Sequence, residues 1–166
     1  SGANCEVGDA FNGNAVTVRG VEIIAGTDLA GSNFPLEVAY TYTDGSFDTD
    51  IADTAFFGDV STGDSIPYIP KHQLHAMIGF VQPQWAVHLS ANFVDETCVR
   101  AACGAFEITD SSFTVDIAVH WSINEAVGLF VRVENLADSS DIVGLHPYGA
   151  RPNKSRTALV GLDLSF

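Results

Sequence analysis

Two cysteines lie close together in the sequence, Cys98 and Cys103, within a loop-like stretch at 96–112. In an oxidising compartment such a pair can form a disulfide that staples its own loop. The other chemistry open to them is metal binding, but a structural zinc site needs four ligands, and no histidine lies near the two thiols. The disulfide is therefore favoured wherever the chain meets an oxidising environment. Cys5 has no evident partner in this sequence.

Acidic residues concentrate in stretches between apolar segments. The first stretch holds Asp44, Asp48, Asp50, Asp53, Asp59 and Asp64, and the second holds Asp95, Glu96, Glu107 and Asp110. Carboxylates are Ca²⁺ ligands, so the loop 45–64 is a candidate calcium site, but it lacks an EF-hand pattern and simple solvation is favoured. The formal net charge of -14 argues against nucleic acid as a partner.

Catalytic chemistry has no visible basis in the sequence. Serines are plentiful, but none lies in a Gly-x-Ser-x-Gly elbow. There is also no glycine-rich phosphate loop and no set of nucleophile, base and orienting residue. We expect that the chain is not an enzyme.

The elements that must position these residues are β-strands, because apolar and polar residues alternate with a period of two. In the run 113–121 the odd positions are apolar and the even ones mostly polar, and the runs 127–134 and 158–166 repeat the pattern. Seven strands are predicted, at about 15–26, 34–44, 73–82, 85–95, 113–122, 126–136 and 155–166. Most have the roughly 9 to 11 residues of a tilted membrane-spanning strand. No run is apolar for the ~18 to 20 residues of a transmembrane helix.

The predicted connections alternate in length. Residues 27–33, 83–84 and 122–125 form short turns, whereas 45–72, 96–112 and 137–154 form long loops. In an up-and-down meander all the short turns then lie at one end, as in outer-membrane barrels, which have short periplasmic turns and long extracellular loops.

The aromatic residues fall at two levels of the same meander. Phe34, Phe80, Trp85, Trp121 and Phe166 lie at the short-turn end, and Tyr40, Tyr42, Phe93 and Phe113 lie toward the long-loop end. Two aromatic levels around an aliphatic band are typical of the two membrane interfaces. The fold class is therefore all-β: an antiparallel up-and-down transmembrane β-barrel segment.

Two features of the sequence do not fit a simple closed barrel of regular strands. The alternation changes phase near Gly20, which a bulge or a glycine kink would reconcile. In addition, an open sheet of seven strands would expose unpaired edges to lipid, and single-chain barrels have even strand numbers of at least eight. Residues 4–12 are a poor eighth strand, and the chain opens with no secretory signal. We therefore expect it to be part of a longer polypeptide.

Several motifs occur in an ordered series. They are Val18-Arg-Gly-Val-Glu22, Tyr40-Thr-Tyr-Thr-Asp44, Ile69-Pro-Lys-His-Gln-Leu74, Val133-Glu-Asn-Leu-Ala-Asp138, Pro147-Tyr-Gly-Ala-Arg-Pro152, Arg156-Thr157 and Phe166. Over about residues 15–166 this series resembles the closing third of TonB-dependent receptors. Ala137 departs from the family, which usually has an aromatic residue after "N-L".

The resemblance implies that residues 1–166 are the C-terminal part of a large outer-membrane barrel, of about 22 strands around a plugged lumen. Neither the plug nor the segment that engages the TonB complex is in this sequence. The implied partners are the rest of the barrel and the plug, the TonB complex, outer-membrane lipid and a nutrient ligand. Phe166 resembles the signal read by the barrel-assembly machinery. The implied function is TonB-energised import of a ferric siderophore or another scarce bulky nutrient.

Candidate site residues fall into two groups. The strand alternation points His75, His88, Asp116, His120, Arg132 and Glu134 into the lumen. They form a polar wall that hydrogen-bonds the plug; a metal held by His88 and His120 is the alternative. In the loop 137–154, the resemblance implies that His146, Tyr148 and Arg151 lie where ligands bind. Arg151 either pairs with an anionic ferric chelate or has a structural role in its loop.

Two other functions remain open at this stage. One is a small, self-contained eight-stranded outer-membrane barrel with a structural or adhesion role, which would fold in detergent as a closed monomer. The other is a soluble lipocalin-like binding barrel, which would refold without detergent. The soluble barrel fits the sequence poorly because its polar and apolar faces would be reversed.

Overall fold

A computed structural model describes residues 15–29, 33–54, 58–146 and 149–165, and within these residues the chain folds into eleven β-strands. Seven long strands form one sheet: β1 (Val16–Leu29), β2 (Phe34–Phe47), β5 (His72–Gln82), β6 (Trp85–Val94), β7 (Ser112–Asn124), β8 (Val127–Glu134) and β11 (Thr157–Leu164). Two small two-stranded sheets join β3 (Ile51–Thr54) to β4 (Gly58–Val60) and β9 (Ile142–Gly144) to β10 (Arg151–Pro152). Within the described residues, no helix is long and apolar enough to cross a membrane.

The main sheet is a meander in which each strand pairs with its neighbour along the chain. Its order is β1-β2-β5-β6-β7-β8-β11, and every pair is antiparallel. This confirms the predicted all-β, antiparallel up-and-down fold with seven long strands. The strand ends differ from the predicted ones by a few residues, most at β1 and β2, which run on to Leu29 and Phe47.

The register divides the sheet into two chemically different faces. Ile117 pairs with Leu89 on β6 and with Val133 on β8, so these three side chains share one face. Because neighbours along a strand point to opposite sides, the residues between them form the other face. We call the first the apolar face and the second the polar face. Apolar-face side chains are widely exposed, up to 69% for Val160.

Aromatic side chains mark two levels of the apolar face. At the short-turn end the rings of Trp85 and Trp121 stack with centroids 5.0 Å apart, and Phe34 contacts Phe80 at 5.2 Å. At the long-loop end Phe93 is the cross-strand partner of Phe113. The levels fall at the ends predicted from the sequence; Phe166 lies outside the described residues.

A second aromatic cluster, on β2 and β5, belongs to the level at the long-loop end, which we call the upper end of the sheet. Tyr42 pairs in register with His72, and their ring centroids are 5.4 Å apart. A hydrogen bond of 2.8 Å joins Tyr40 Oη to His72 Nδ1. Polar aromatic groups of this kind suit a membrane interface, where one end of the side chain is wet.

The connections between the long strands sort by length, as predicted. Short turns join β1 to β2, β5 to β6 and β7 to β8, while the stretches 48–71, 95–111 and 135–156 lie at the opposite end. The sequence did not predict that two of the long stretches contain the small β3–β4 and β9–β10 sheets. These strands have only two to four residues, too few for a period of two to stand out.

The sequence offered a bulge or a glycine kink to explain the phase change near Gly20, and the pairing of β1 with β2 contains no bulge. The register of β1 with β2 runs without a shift from Val16↔Phe47 to Leu29↔Phe34. The change of phase is therefore real, and it puts Val16 and Val18 on the polar face. Gly20 instead lets the backbones of β1 and β2 approach closely, because a Cβ at this position would lie 2.6 Å from the carbonyl oxygen of Tyr42.

We predict that Gly20→Ala destabilises the pairing of β1 with β2. The added methyl group meets backbone, which can yield only if the strands separate, and overpacking of this kind costs about 1–3 kcal/mol. The measurement is the free energy of unfolding in urea for protein folded into lipid vesicles. Gly26→Ala is the matched control on the same strand and face, because its nearest contact, the Leu36 carbonyl oxygen, is 3.5 Å away. Equal effects of the two substitutions would contradict this account.

Candidate functional site

The polar face collects the six residues that the sequence predicted for it. His75 pairs across the sheet with Asn92, and His88 with Ala118, which places both histidines on the face that carries Asp116 and His120. On the next strands Arg132 pairs with Ala118 and Glu134 with Thr157. All six predicted residues therefore share one face, with His120 toward the short-turn end and Glu134 at the long-loop end.

The histidines of this face are held apart by different partners. His75 Nδ1 donates to Asn92 Oδ1 at 2.7 Å. The ring of His88 lies over Gly79, where an added Cβ would be 2.9 Å from its Nδ1. His120 Nε2 instead lies 3.4 Å from Asp163 Oδ2. Among the residues that the structure describes, no three His, Cys, Asp or Glu side chains form a group able to hold a metal ion.

The upper end of the polar face carries an ion cluster around Glu134. Arg132 Nη2 lies 2.9 Å from Glu134 Oε1, and Lys154 Nζ contacts Glu134 Oε2. The Glu134 side chain is only 19% exposed, whereas those of Arg132 and Lys154 are 55% and 62% exposed. A molecule above this part of the face therefore meets two cations, with their shared carboxylate beneath them.

Asn135, in the Asn-Leu-Ala-Asp motif, organises the chain directly after β8. It is 2% exposed and has a positive φ of 50°, a conformation that asparagine tolerates better than most residues. Its backbone N–H donates to Asp116 Oδ1 at 2.8 Å. Its side-chain Nδ2 donates to the carbonyls of Ser139 and Lys154 at 2.9 and 2.8 Å. Asn135 thereby fixes Lys154 beside Glu134.

Asp138, in the same motif, ties this turn to the start of β11. Its Oδ1 accepts a hydrogen bond from the Arg156 backbone N–H at 3.0 Å, and its Oδ2 lies 3.6 Å from Arg156 Nη2. Like Asn135 it has a positive φ, of 56°. The two ends of the stretch 135–156 are therefore joined by side chains of one motif.

The three long stretches between strands contact one another and form a cap over the long-loop end of the sheet. The cap has its own small apolar core of Phe47, Val60 and Ala101, against which Ile51 and Ile66 pack. The disulfide predicted from the sequence joins Cys98 and Cys103, whose Cα atoms are 5.6 Å apart. Cys5 lies outside the described residues.

Tyr68 links all three stretches of the cap. Its backbone N–H donates to the Cys98 carbonyl at 2.9 Å, and its hydroxyl oxygen accepts a hydrogen bond from the His146 backbone N–H at 3.1 Å. Its φ is 60°, which is unusual for a bulky residue and is stable only where the surroundings enforce it. Asp110 adds a second tie by accepting a 2.7 Å bond from the Ile142 backbone N–H. No pattern in the sequence distinguishes Tyr68 from any other loop tyrosine.

The loop residues predicted to bind ligand have other contacts in the structure. Arg151 Nη2 donates to the His146 carbonyl at 2.8 Å, and Arg151 pairs in register with Gly144. These bonds close the β9–β10 hairpin, the structural role that the sequence left open for Arg151. Tyr148 lies outside the described residues. Ligand binding by His146, Tyr148 and Arg151 stays a prediction.

Carboxylates in the Asp-rich stretch are held by donors of the protein itself. Asp50 Oδ1 accepts hydrogen bonds from the backbone N–H and the hydroxyl of Thr62 at 2.7 and 2.8 Å. These bonds hold the pKa of Asp50 below its ordinary value, so they persist as the pH falls until Asp50 is protonated. Asp64 Oδ2 accepts from the Ser61 backbone N–H at 2.7 Å. Calcium binding by this loop stays a prediction.

Comparison with known protein families gives a match over most of the chain. A family model described as "TonB dependent receptor-like, beta-barrel" matches residues 2–136. No curated protein matches the sequence.

Several solved structures resemble the chain. The siderophore receptor PiuA from Acinetobacter baumannii has 18% identity and a TM-score of 0.72, over 90% of this chain and 22% of that one. The ferric yersiniabactin uptake receptor FyuA from Yersinia pestis has 18% identity and a TM-score of 0.72, over 91% and 24%. The unliganded ferric citrate transporter FecA has 18% identity and a TM-score of 0.73, over 89% and 24%. The chain thus spans about a quarter of the length of these proteins, and the likeness shows the fold of a large barrel's segment.

We predict that Asn135→Ala loosens the stretch 135–156. The substitution leaves two carbonyls without their donor and puts alanine at a positive φ, which together cost roughly 2–3 kcal/mol. Hydrogen exchange should rise across 135–156 and leave β6 unchanged. Asn124→Ala is the control, because the side-chain hydrogen bond that Asn124 accepts, from the Ala126 N–H, is in an exposed turn. Unchanged exchange in Asn135→Ala would show that the turn does not depend on this amide.

We also predict that replacing both Cys98 and Cys103 by serine frees the middle of the cap. A bridge over five residues stabilises its loop by about 2 kcal/mol in the chain-entropy account. Exchange should increase at residues 95–111 and at the Tyr68 amide, which donates to Cys98. The sheet amides of β6 and β7 serve as the internal reference. Faster exchange confined to residues 98–103 would refute the proposed tie to Tyr68.

Proposed function

Since the chain belongs to the TonB-dependent receptor-like β-barrel family, we propose that it forms part of the wall of a receptor that imports a ferric siderophore or another scarce, bulky nutrient with energy supplied through TonB. Its place is the bacterial outer membrane, as predicted. The observation that carries the proposal is the pairing of a family match over most of the chain with a sheet that has one apolar and one polar face.

The two faces of the sheet suit two different surroundings, lipid on one side and water on the other. The apolar face, with its two aromatic levels, suits contact with lipid between the two interfaces. The polar face would then line the lumen, where His75, Asn92 and the other polar side chains can hydrogen-bond a plug. A soluble lipocalin-like barrel is disfavoured, because it would have to expose the apolar side chains to water.

The rest of the barrel is the first partner that this role requires. Within the described residues β1 pairs only with β2, and β11 pairs only with β8. In lipid each unpaired backbone group costs several kcal/mol, so we propose that further strands cover both edges. The plug, the TonB complex and the barrel-assembly machinery complete the proposed set of partners. The rival small barrel would instead exist as a species of 17.6 kDa.

The ligand that suits the upper polar face is an anionic chelate. Arg132 and Lys154 expose their charged groups there, while Glu134 lies beneath them. An arginine guanidinium binds carboxylate and phenolate oxygens through directed, charge-assisted hydrogen bonds. We propose these two cations as the ligand contacts of this segment, in place of Arg151, whose guanidinium is used within its hairpin.

Uptake and binding of iron-loaded siderophores test the proposal. Cells that lack the receptor are complemented with the full receptor gene, wild type or with Arg132→Gln and Lys154→Gln together. We expect the double variant to bind anionic ferric siderophores about tenfold more weakly, since two charge-assisted contacts are lost. Arg100→Gln is the control for loss of a cation elsewhere, because Arg100 pairs with Glu107 in the cap. Each single variant, Arg132→Gln or Lys154→Gln, is compared with it at equal net charge. Loss of TonB should abolish uptake and leave binding intact.

The results of these experiments distinguish the proposed receptor from the alternative functions. Uptake that continues without TonB would refute the energy coupling. A membrane species of 17.6 kDa with no larger polypeptide would favour the small barrel. Equal binding by the double variant and the wild type would remove Arg132 and Lys154 from the ligand site.

A further inference from the structure

Strands β1 and β2 continue beyond the upper aromatic level of the apolar face. Tyr42 pairs with Val21, and the next residues on the same face are Asp44, opposite Arg19, and Ser46, opposite Thr17. At about 3.4 Å per residue, Asp44 lies roughly 7 Å farther along the strand than Tyr42. Because the aromatic level itself marks the interface, these polar residues face outward at the height of the lipid headgroups.

The same residues line a cleft of about 170 Å³, formed by Thr17, Arg19, Asp44, Ser46 and Asp48, which we call the rim cleft. One side is fixed, because Thr17 Oγ1 donates to Asp48 Oδ2 at 2.8 Å. Arg19 is the one lysine or arginine on the apolar face of the seven described strands, and no ion pair involves it within the described residues. A lipid-facing arginine costs little near an interface and much at the bilayer centre, so its height is consistent with headgroup contact.

We propose that the rim cleft binds the phosphorylated sugar headgroup of an outer-leaflet lipid. The Arg19 guanidinium pairs with a phosphate through parallel hydrogen bonds, a geometry for which arginine is well suited. Asp44 and Ser46 bind hydroxyl groups of the sugar. The two carboxylates of the cleft disfavour a bare phosphate ion and favour a headgroup that brings hydroxyl donors with its phosphate.

Continuity with the lipid-facing surface identifies the occupant as lipid. The rim cleft lies directly above the Tyr40–His72–Tyr42 cluster, on the face whose lower part contacts acyl chains. A glycolipid can therefore fill the cleft with its headgroup while its chains pack on the apolar face below. This inference rests on the outer-membrane location and is independent of the nutrient that the receptor imports.

Native mass spectrometry of the full receptor, purified from outer membranes and placed in nanodiscs, tests the proposal. The nanodiscs contain phosphatidylethanolamine with either phosphorylated lipid A or the same lipid after enzymatic dephosphorylation. We expect the wild type to retain the phosphorylated form preferentially, and Arg19→Gln to reduce that retention by about tenfold. Arg100→Gln, which removes the same charge in the cap, should retain as much as the wild type. Millimolar inorganic phosphate should not displace the lipid.

Three results would overturn the proposal: equal retention of the two lipids by the wild type, equal retention by Arg19→Gln, or displacement by inorganic phosphate. The comparison of lipids on the wild type needs no variant, so it decides the matter even where Arg19→Gln does not fold. Nutrient uptake is measured on the same preparations in cells. Lipid retention without uptake would count against the transport function and leave the rim cleft in place.

Discussion

Backbone hydrogen bonding in lipid is the constraint on which the rest of this structure depends. A bilayer offers no water to an unpaired N–H or C=O group, so strands can cross it only as members of a continuous ladder. The ladder from β1 to β11 meets this demand for the strands within it, and only the outer edges of β1 and β11 need the further strands proposed above. A ladder also fixes the direction of every side chain, because successive residues point to opposite sides. The separation of the apolar from the polar face follows from this geometry and needs no buried core within the sheet.

The cap obeys a different rule because it is exposed to water. Its turns are stabilised by side chains that bond to backbone groups, such as Asn135 with the carbonyls of Ser139 and Lys154. A small apolar core and one disulfide add to these bonds. Contacts of this kind are specific to individual residues and recur with no period. Tyr68, which bonds to the other two stretches of the cap, adopts a backbone conformation that only such surroundings can hold.

This difference explains which features could be predicted from the sequence. The long strands, their order, the sorting of turns and the two aromatic levels all follow from a period of two and from residue type. The sheet registers then placed His75, His88, Asp116, His120, Arg132 and Glu134 on one face, as the alternation predicted. Near Gly20 the alternation could not decide the local structure. A change of phase fits either a bulge or a regular strand that carries apolar residues on both faces. Only the register shows that the strand continues without a bulge and uses the glycine for close approach to Tyr42.

The contacts in the cap could not be predicted from the sequence, for a related reason. Arg151 has the chemistry of an anion-binding residue, and only the structure shows its guanidinium bonded to the His146 carbonyl. Lys154 is a loop residue with no pattern around it, yet the Asn135 amide holds it beside Glu134. The structure thus shows different surroundings for the predicted loop arginine and for the two cations beside Glu134. The hairpin arginine stabilises the loop, and the exposed cations belong to the edge of the polar face.

The two faces also separate the two proposed functions of this segment. Arg19 and Arg132 are both near the long-loop end, but the register directs Arg19 to the apolar face and Arg132 to the polar face. A charge change at one position therefore alters only the apolar face, and a change at the other alters only the polar face. The sheet between them has a single layer, so neither charge is shielded by a packed core. What keeps the two functions independent is the alternation itself, which gives a thin wall two unrelated surfaces.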